Sequence, residues 1–136
     1  MNATTDKSTL AARAGQVLAG LVIALLLLDA GVLLLAPELL AGSMKATGLP
    51  AERAPIIGGI LLVSLVLFAV PRTRMVGAIL LTAFLGGAIC THFRIGEMGS
   101  PPQLICASLG FAIWVSLHLR GAVRLSRPEA ACGART

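Results

Sequence analysis

The sequence predicts an all-α protein: a polytopic membrane four-helix bundle with both termini cytoplasmic. Three observations predict it. The chain is 57% hydrophobic and only 12% charged, with a mean hydropathy of +0.91. A soluble domain of 136 residues has too much surface to be covered by so few charges. The apolar residues gather into four runs, about 15–36, 56–70, 75–93 and 104–119, near the ~20 residues that a spanning helix needs. Residues 1–136 therefore read as a single membrane domain. The basic residues also alternate by side. Lys7, Arg13, Arg72, Arg74, Arg120, Arg124, Arg127 and Arg135 make eight on one side, against Lys45, Arg53 and Arg94, three, on the other. Basic residues in short loops stay on the cytoplasmic face, so this bias sets the expected orientation.

Met1 to Ala14 is polar and Thr-rich and is expected to fray. A basic start before an apolar run also describes a signal peptide. Here the run is longer than the usual apolar core of such a peptide, and three further runs follow, so it reads as a retained first span closed by Pro37. Asp29 is the acidic residue inside that span. A carboxylate there costs about 2.5–3.5 kcal/mol near a helix centre, less towards an end. Two readings stand: a group that fixes packing, or a proton, ion or ligand site.

Glu38 to Pro55, punctuated by Gly42-Ser43, Gly48-Leu49-Pro50 and Pro55, reads as a loop with a short amphipathic turn. The second span is short for a membrane, and Arg72 and Arg74 can snorkel to lengthen its reach. Pro71-Arg72-Thr73-Arg74 is a tight turn, which makes the second and third spans antiparallel neighbours.

The third run, Met75–Glu97, organises the reading. On a helical wheel, Thr82, Ala83, Gly86, Gly87 and Cys90 share one face, opposite Leu81, Leu85 and Ala88. Small residues let helix backbones approach closely in lipid, so the small face is expected to meet the bundle. In the fourth run Ser108, Ala112 and Ser116, four residues apart, are its expected mate. Trp114, near the middle of that run, is expected inside the bundle or against lipid. Gly96 to Pro102 reads as a short loop.

Soluble chemistry finds no support. There is no glycine-rich phosphate loop, no metal-ligand spacing and no Ser/His/Asp arrangement, so no catalytic residue and no metal site are assigned. Aromatic residues are 4%, Tyr is absent, and no basic stripe stands apart from the apolar runs, which excludes nucleic acid as a partner. Cys90, Cys106 and Cys132 form no C-x-x-C and read as free thiols. What remains is a polar group converging on the outer half: Asp29, His92, Arg94 and Glu97. Asp29 is expected to pair with Arg94 across the first and third spans, and Arg94 with Glu97 as an i,i+3 surface pair.

The run Pro71–Glu97, PRTRMVGAILLTAFLGGAICTHFRIGE, strongly resembles the signature of DoxX-like membrane proteins. A Pro-Arg-Thr turn leads there into a Gly-Ala-Ile-Leu-Leu-Thr helix ending in Thr-His-x-Arg, matched by Thr91, His92, Phe93 and Arg94. Asp29 in the first span, and Trp114 with Leu119-Arg120 in the fourth, look similar too. The resemblance implies a four-helix fold in the bacterial inner (cytoplasmic) membrane. It implies a subunit or helper of a quinone-linked redox assembly rather than a stand-alone enzyme, with quinone as the cofactor implied. Its partners would be the lipid bilayer and redox proteins, or further copies of the chain. The alternatives are a small proton-coupled transporter using Asp29 and a purely structural membrane partner.

Overall fold

The structure, a computed structural model, describes residues 3–121, with side chains from Leu10 onward apart from Ala51. Among the described residues it is all helical: α1 Ala3–Leu35, α2 Ala41–Ala46, α3 Ala54–Ala69, α4 Arg74–Arg94 and α5 Pro101–Leu119. Short 3-10 turns at Pro37–Leu40 and Ala51–Arg53 flank α2. Cys132, Arg124, Arg127 and Arg135 lie outside the described residues.

The segment expected to fray is helical from Ala3. It contains no proline or glycine before Gly15, and Leu10, Ala11, Ala12 and Ala14 favour continuation of a helix already nucleated. Among the described residues three stretches are long and apolar enough to cross a membrane: Leu10–Leu35, Arg74–Arg94 and Pro101–Leu119. The apolar α3 has 16 residues, about 24 Å of helix.

α1 packs on α3 and α5, α3 on α4, and α4 on α5, leaving α1 and α4 diagonally opposed. The core runs between them as helical stripes: Ala19, Val22, Leu26, Ala30 and Leu33 of α1, then Leu61, Leu65 and Phe68 of α3. Ala78, Leu81 and Leu85 of α4 and Ile113 and Leu117 of α5 join it, with Met44 of α2 and Ala54 at the start of α3. The outer faces are equally apolar, with Leu21, Leu25, Leu28, Val63, Ile79, Ile105 and Phe111 exposed. Helices apolar all round belong in lipid. Two core hydroxyls are satisfied within their own helices: Ser64 donates to Ile60 O at 2.8 Å and Ser116 to Ile113 O at 2.7 Å.

The expected rotation of α4 is corrected. Leu81 and Leu85, placed outside by the small-face reading, are buried, whereas a side chain at Gly86 or Gly87 would meet nothing within 4 Å. The cause is the four-residue turn, Val70 to Thr73, before α4. It brings α3 and α4 together so tightly that the Cα of Gly77 rests on the backbone of Leu67 and Phe68. With Gly77 facing inward, the residues one and two turns on, Leu81 and Leu85, must face inward as well. Close approach between other helices also rests on glycines. A Cβ at Gly58 would lie 3.0 Å from that of Leu33, and one at Gly15 2.8 Å from that of Leu119.

The Ser108, Ala112, Ser116 stripe divides. Ser116 is buried, Ala112 half-buried, and Ser108 is exposed and donates to Leu104 O. Residues spaced by four drift about 40° per step around a helix, so one end of the stripe leaves the interface. Thr82, half-buried, does join helices: Trp114 Nε1 donates to its hydroxyl at 3.1 Å, and that hydroxyl donates to Ala78 O at 2.7 Å. Cys90 and Cys106 are free thiols.

Candidate functional site

The site grows out of two helix ends. α4 stops because Gly96 adopts φ +81, a conformation that costs other residues a clash with their own Cβ. Gly96 N–H then donates to Phe93 O at 3.1 Å and Glu97 N–H to His92 O at 3.2 Å, the paired bonds of a Schellman cap. That reversal carries the Glu97 side chain back over the last helical turn, where its carboxylate meets His92 Nδ1 at 2.7 Å. Among the described residues His92–Glu97 is the one close contact between a basic and an acidic side chain. It replaces the expected Arg94–Glu97 pair, since Glu97 lies beyond the helix and an i,i+3 geometry no longer applies.

α2 ends the same way. Gly48 has φ +71, its N–H donates to Lys45 O at 3.1 Å, and Leu49 N–H donates to Met44 O at 2.9 Å. Arg94 Nη2 donates to Thr47 O at 3.3 Å, so this cation closes the carbonyl end of α2, where positive charge is favoured. The expected Asp29–Arg94 pair is not formed. Asp29 is on α1, which packs on α3 and α5 and stands diagonally from α4. Its side chain is exposed. Arg94, His92 and Glu97 are thus brought together with α2, and Asp29 is not.

Sequence reasoning missed the cavity that these elements enclose. Between α2, α3 and α4 lies an open cavity of about 480 Å³, walled by Leu40, Met44, Leu49, Ile57, Phe84 and Ala88, with Thr47, Thr91 and His92 at its polar end. Such volumes are typical of ligand pockets, about 300–1,000 Å³. Gly87 forms part of its wall. The absent side chain that suggested helix packing instead leaves room in the cavity. The threonine hydroxyls are engaged by backbone: Thr47 donates to Ser43 O and Met44 O, and Thr91 to Gly87 O. The imidazole of His92 is held through Nδ1, which leaves Nε2 without a hydrogen-bond partner among the described residues. His92 also borders a second cavity of about 230 Å³, lined by Glu97, Ser100 and Pro101. Asp29 lines neither.

Gln103 fixes the loop behind this pair. Its carbonyl oxygen accepts from Gly99 N–H at 2.7 Å and Ser100 N–H at 3.3 Å, and its amide donates to Ile89 O at 3.4 Å. The signals for the site were present as a glycine followed by an acid, Gly96-Glu97, and as Gly48, each at a helix end. Among the described residues no group of three or more His, Cys, Asp or Glu is placed to hold a metal ion.

Neither a curated protein nor a solved structure matches the chain. The sequence model of the DoxX-like family matches residues 17–117, from the first turns of α1 inside the array to the last turn of α5. With that match reaching into all four long helices and spanning the cavity between α2, α3 and α4, the chain belongs to the DoxX-like family of membrane proteins.

Proposed function

We propose that this protein is a four-span inner-membrane subunit that holds a quinone-class ligand in the cavity between α2, α3 and α4, in the service of a membrane redox assembly. The observation that carries the proposal is an apolar cavity of about 480 Å³ with one oriented imidazole at its polar end. A carboxylate against Nδ1 keeps the proton on that nitrogen, so a neutral His92 presents Nε2 as an acceptor. An acceptor suits the hydroxyl of the reduced, quinol form. If Nε2 takes up that proton, the Glu97 carboxylate stabilises the resulting imidazolium. The apolar walls receive the ring and the start of its tail.

The reading of four spans, with α3 as the second, is supported by its packing between α1 and α4 and by the arginines beside its short end. The eight-to-three basic bias supports an orientation with both termini in the cytoplasm and the cavity in the outer half. A reporter fused after Thr136 or in the Arg72–Arg74 turn is expected to read as cytoplasmic, and one beside Lys45 as external. An external C-terminus would reject this orientation.

The ligand is tested by calorimetric titration of the purified protein in mild detergent with a short-chain quinol. The wild type is expected to bind. Gly87→Leu is expected to weaken binding at least tenfold while leaving the unfolding midpoint in place, because the new side chain enters open cavity rather than a helix contact. His92→Ala should weaken it by about tenfold, the worth of one good hydrogen bond to a desolvated group. Wild-type affinity in Gly87→Leu would reject this cavity as the site.

A further inference from the structure

Among the described residues, the opposite end of the helix array holds positive charges without counter-charges. Arg74 opens α4 and Arg120 follows the last residue of α5. The Arg120 guanidinium lies over the Phe68 ring, 5.2 Å from its centroid. Its Nε donates to Ser116 O at 3.2 Å and its Nη2 to Ser116 Oγ at 3.3 Å, which fixes the side chain and leaves Nη1 without a partner among the described residues. Arg74 stands one turn before Gly77, the residue that rests on the backbone of Phe68. Both cations therefore converge on the region of Phe68. Burial, and after it the charge of Arg74, lowers the pKa of Arg120.

The Nε of Arg74 is buried and makes no hydrogen bond among the described residues. A buried charged donor left unpaired is costly, and such groups in native proteins ordinarily have a partner. The carboxylates whose side chains are described are Asp29, Glu38, Glu52 and Glu97. Glu38, Glu52 and Glu97 belong to the end that bears α2, and Asp29 lies past the midpoint of α1 towards it. The described part of the chain offers Arg74 and Arg120 no anion.

We infer that Arg74 and Arg120 together bind the phosphate of an anionic membrane lipid. Guanidinium groups match phosphate oxygens with paired hydrogen bonds, and two of them beside an aromatic ring provide a shaped, partly desolvated seat. The choice of a lipid over free phosphate rests on the surroundings. Val70 and Met75, exposed apolar residues on either side of the turn, give acyl chains a surface to follow. α4 begins here without a side-chain cap, so its N-terminal end adds a field of the same sign.

The test uses the full-length protein in a neutral maltoside detergent, supplied separately with phosphatidylglycerol, phosphatidylcholine or inorganic phosphate. Retained lipid is read by native mass spectrometry and stability by the unfolding midpoint. Phosphatidylglycerol is expected to be retained and to raise the midpoint, with phosphatidylcholine weaker and inorganic phosphate active only at far higher concentration. Arg74→Gln and Arg120→Gln should each weaken phosphatidylglycerol about tenfold, the worth of a charge-assisted hydrogen bond. Arg72→Gln, at an exposed arginine of the same turn, should leave it unchanged. Arg74→Lys and Arg120→Lys keep the charge and lose the fork, and should fall between wild type and Gln, which preserves the test if a Gln variant fails to fold. An equal loss in Arg72→Gln would reduce the effect to diffuse surface charge and overturn the site. So would lipid binding that appears only in Asp6→Asn or Glu129→Gln, the two acids of the sequence outside the described side chains, since an acid of the chain would then be the occupant. Inorganic phosphate acting at the lipid's own concentration would overturn the lipid.

Discussion

Gly77→Ala is expected to destabilise the protein by about 3 kcal/mol, the upper end of the range for overpacking a tight site. One methyl group has this effect because of what it would meet. Its nearest neighbours are backbone atoms of Leu67 and Phe68, not the far end of a side chain that could swing aside. Relief requires α3 and α4 to separate, and they are tied at this point by the turn, where Thr73 Oγ1 donates to Leu67 O at 2.9 Å. Separation would also loosen Phe68, which is 0% exposed. Gly86→Ala is the matched control on the same helix, since nothing lies within 4 Å of its added atom. It should change stability by no more than about 0.5 kcal/mol. Unfolding of both variants in detergent measures the difference. A larger loss for Gly86→Ala would mean that α4 is rotated relative to the arrangement described here.

The second large effect is expected at Leu81. Leu81 is 0% exposed and its neighbour Leu80 is 40% exposed, so the two present the same chemistry at nearly the same depth to opposite surroundings. In water-soluble proteins a buried Leu→Ala change costs about 2–5 kcal/mol. Part of that cost is transfer from water, and in lipid this part cancels, because a leucine released from the core meets acyl chains as apolar as itself. The cavity and the lost dispersion contacts remain. Leu81→Ala should therefore cost about 2 kcal/mol, and Leu80→Ala about 0.5 kcal/mol or less. Because each removes the same groups from the same helix, any difference in membrane insertion largely drops out of the comparison. Equal losses at the two positions would show that the interior of the helix array contributes no packing energy beyond what lipid supplies.

The candidate site was legible in its residues and illegible in its partnerships. His92, Arg94 and Glu97 stand out as charged or titratable groups at the end of an apolar run. Glu97 pairs with His92, not Arg94, because Gly96 takes a left-handed conformation and turns the chain back on itself. That geometry follows from a glycine at a helix end, so it could have been read. The bond from Arg94 to Thr47 O spans 47 residues, and no local rule anticipates it. Asp29 is an acid in an apolar helix, and its isolation from Arg94 depends on α1 and α4 being diagonal, which is a property of the assembled helices alone.

The all-helical class, the ends of the long helices other than the start of α1, and their apolar character were determined by the sequence itself. Each depends on neighbours along the chain: runs of apolar residues, prolines such as Pro37 and Pro101, and glycines such as Gly96 that allow helix-ending geometry. Which way each helix faces was decided only by the tertiary structure. In water, rotation is written as an apolar stripe against a polar one. Here the helices are apolar inside and out, because lipid replaces water on the outer face, and that record is missing. Glycine was the remaining cue, and it is ambiguous. Gly77 seats a neighbouring backbone while Gly87 leaves space in a cavity wall, and only the approach of α3 to α4 through a four-residue turn separates the two roles.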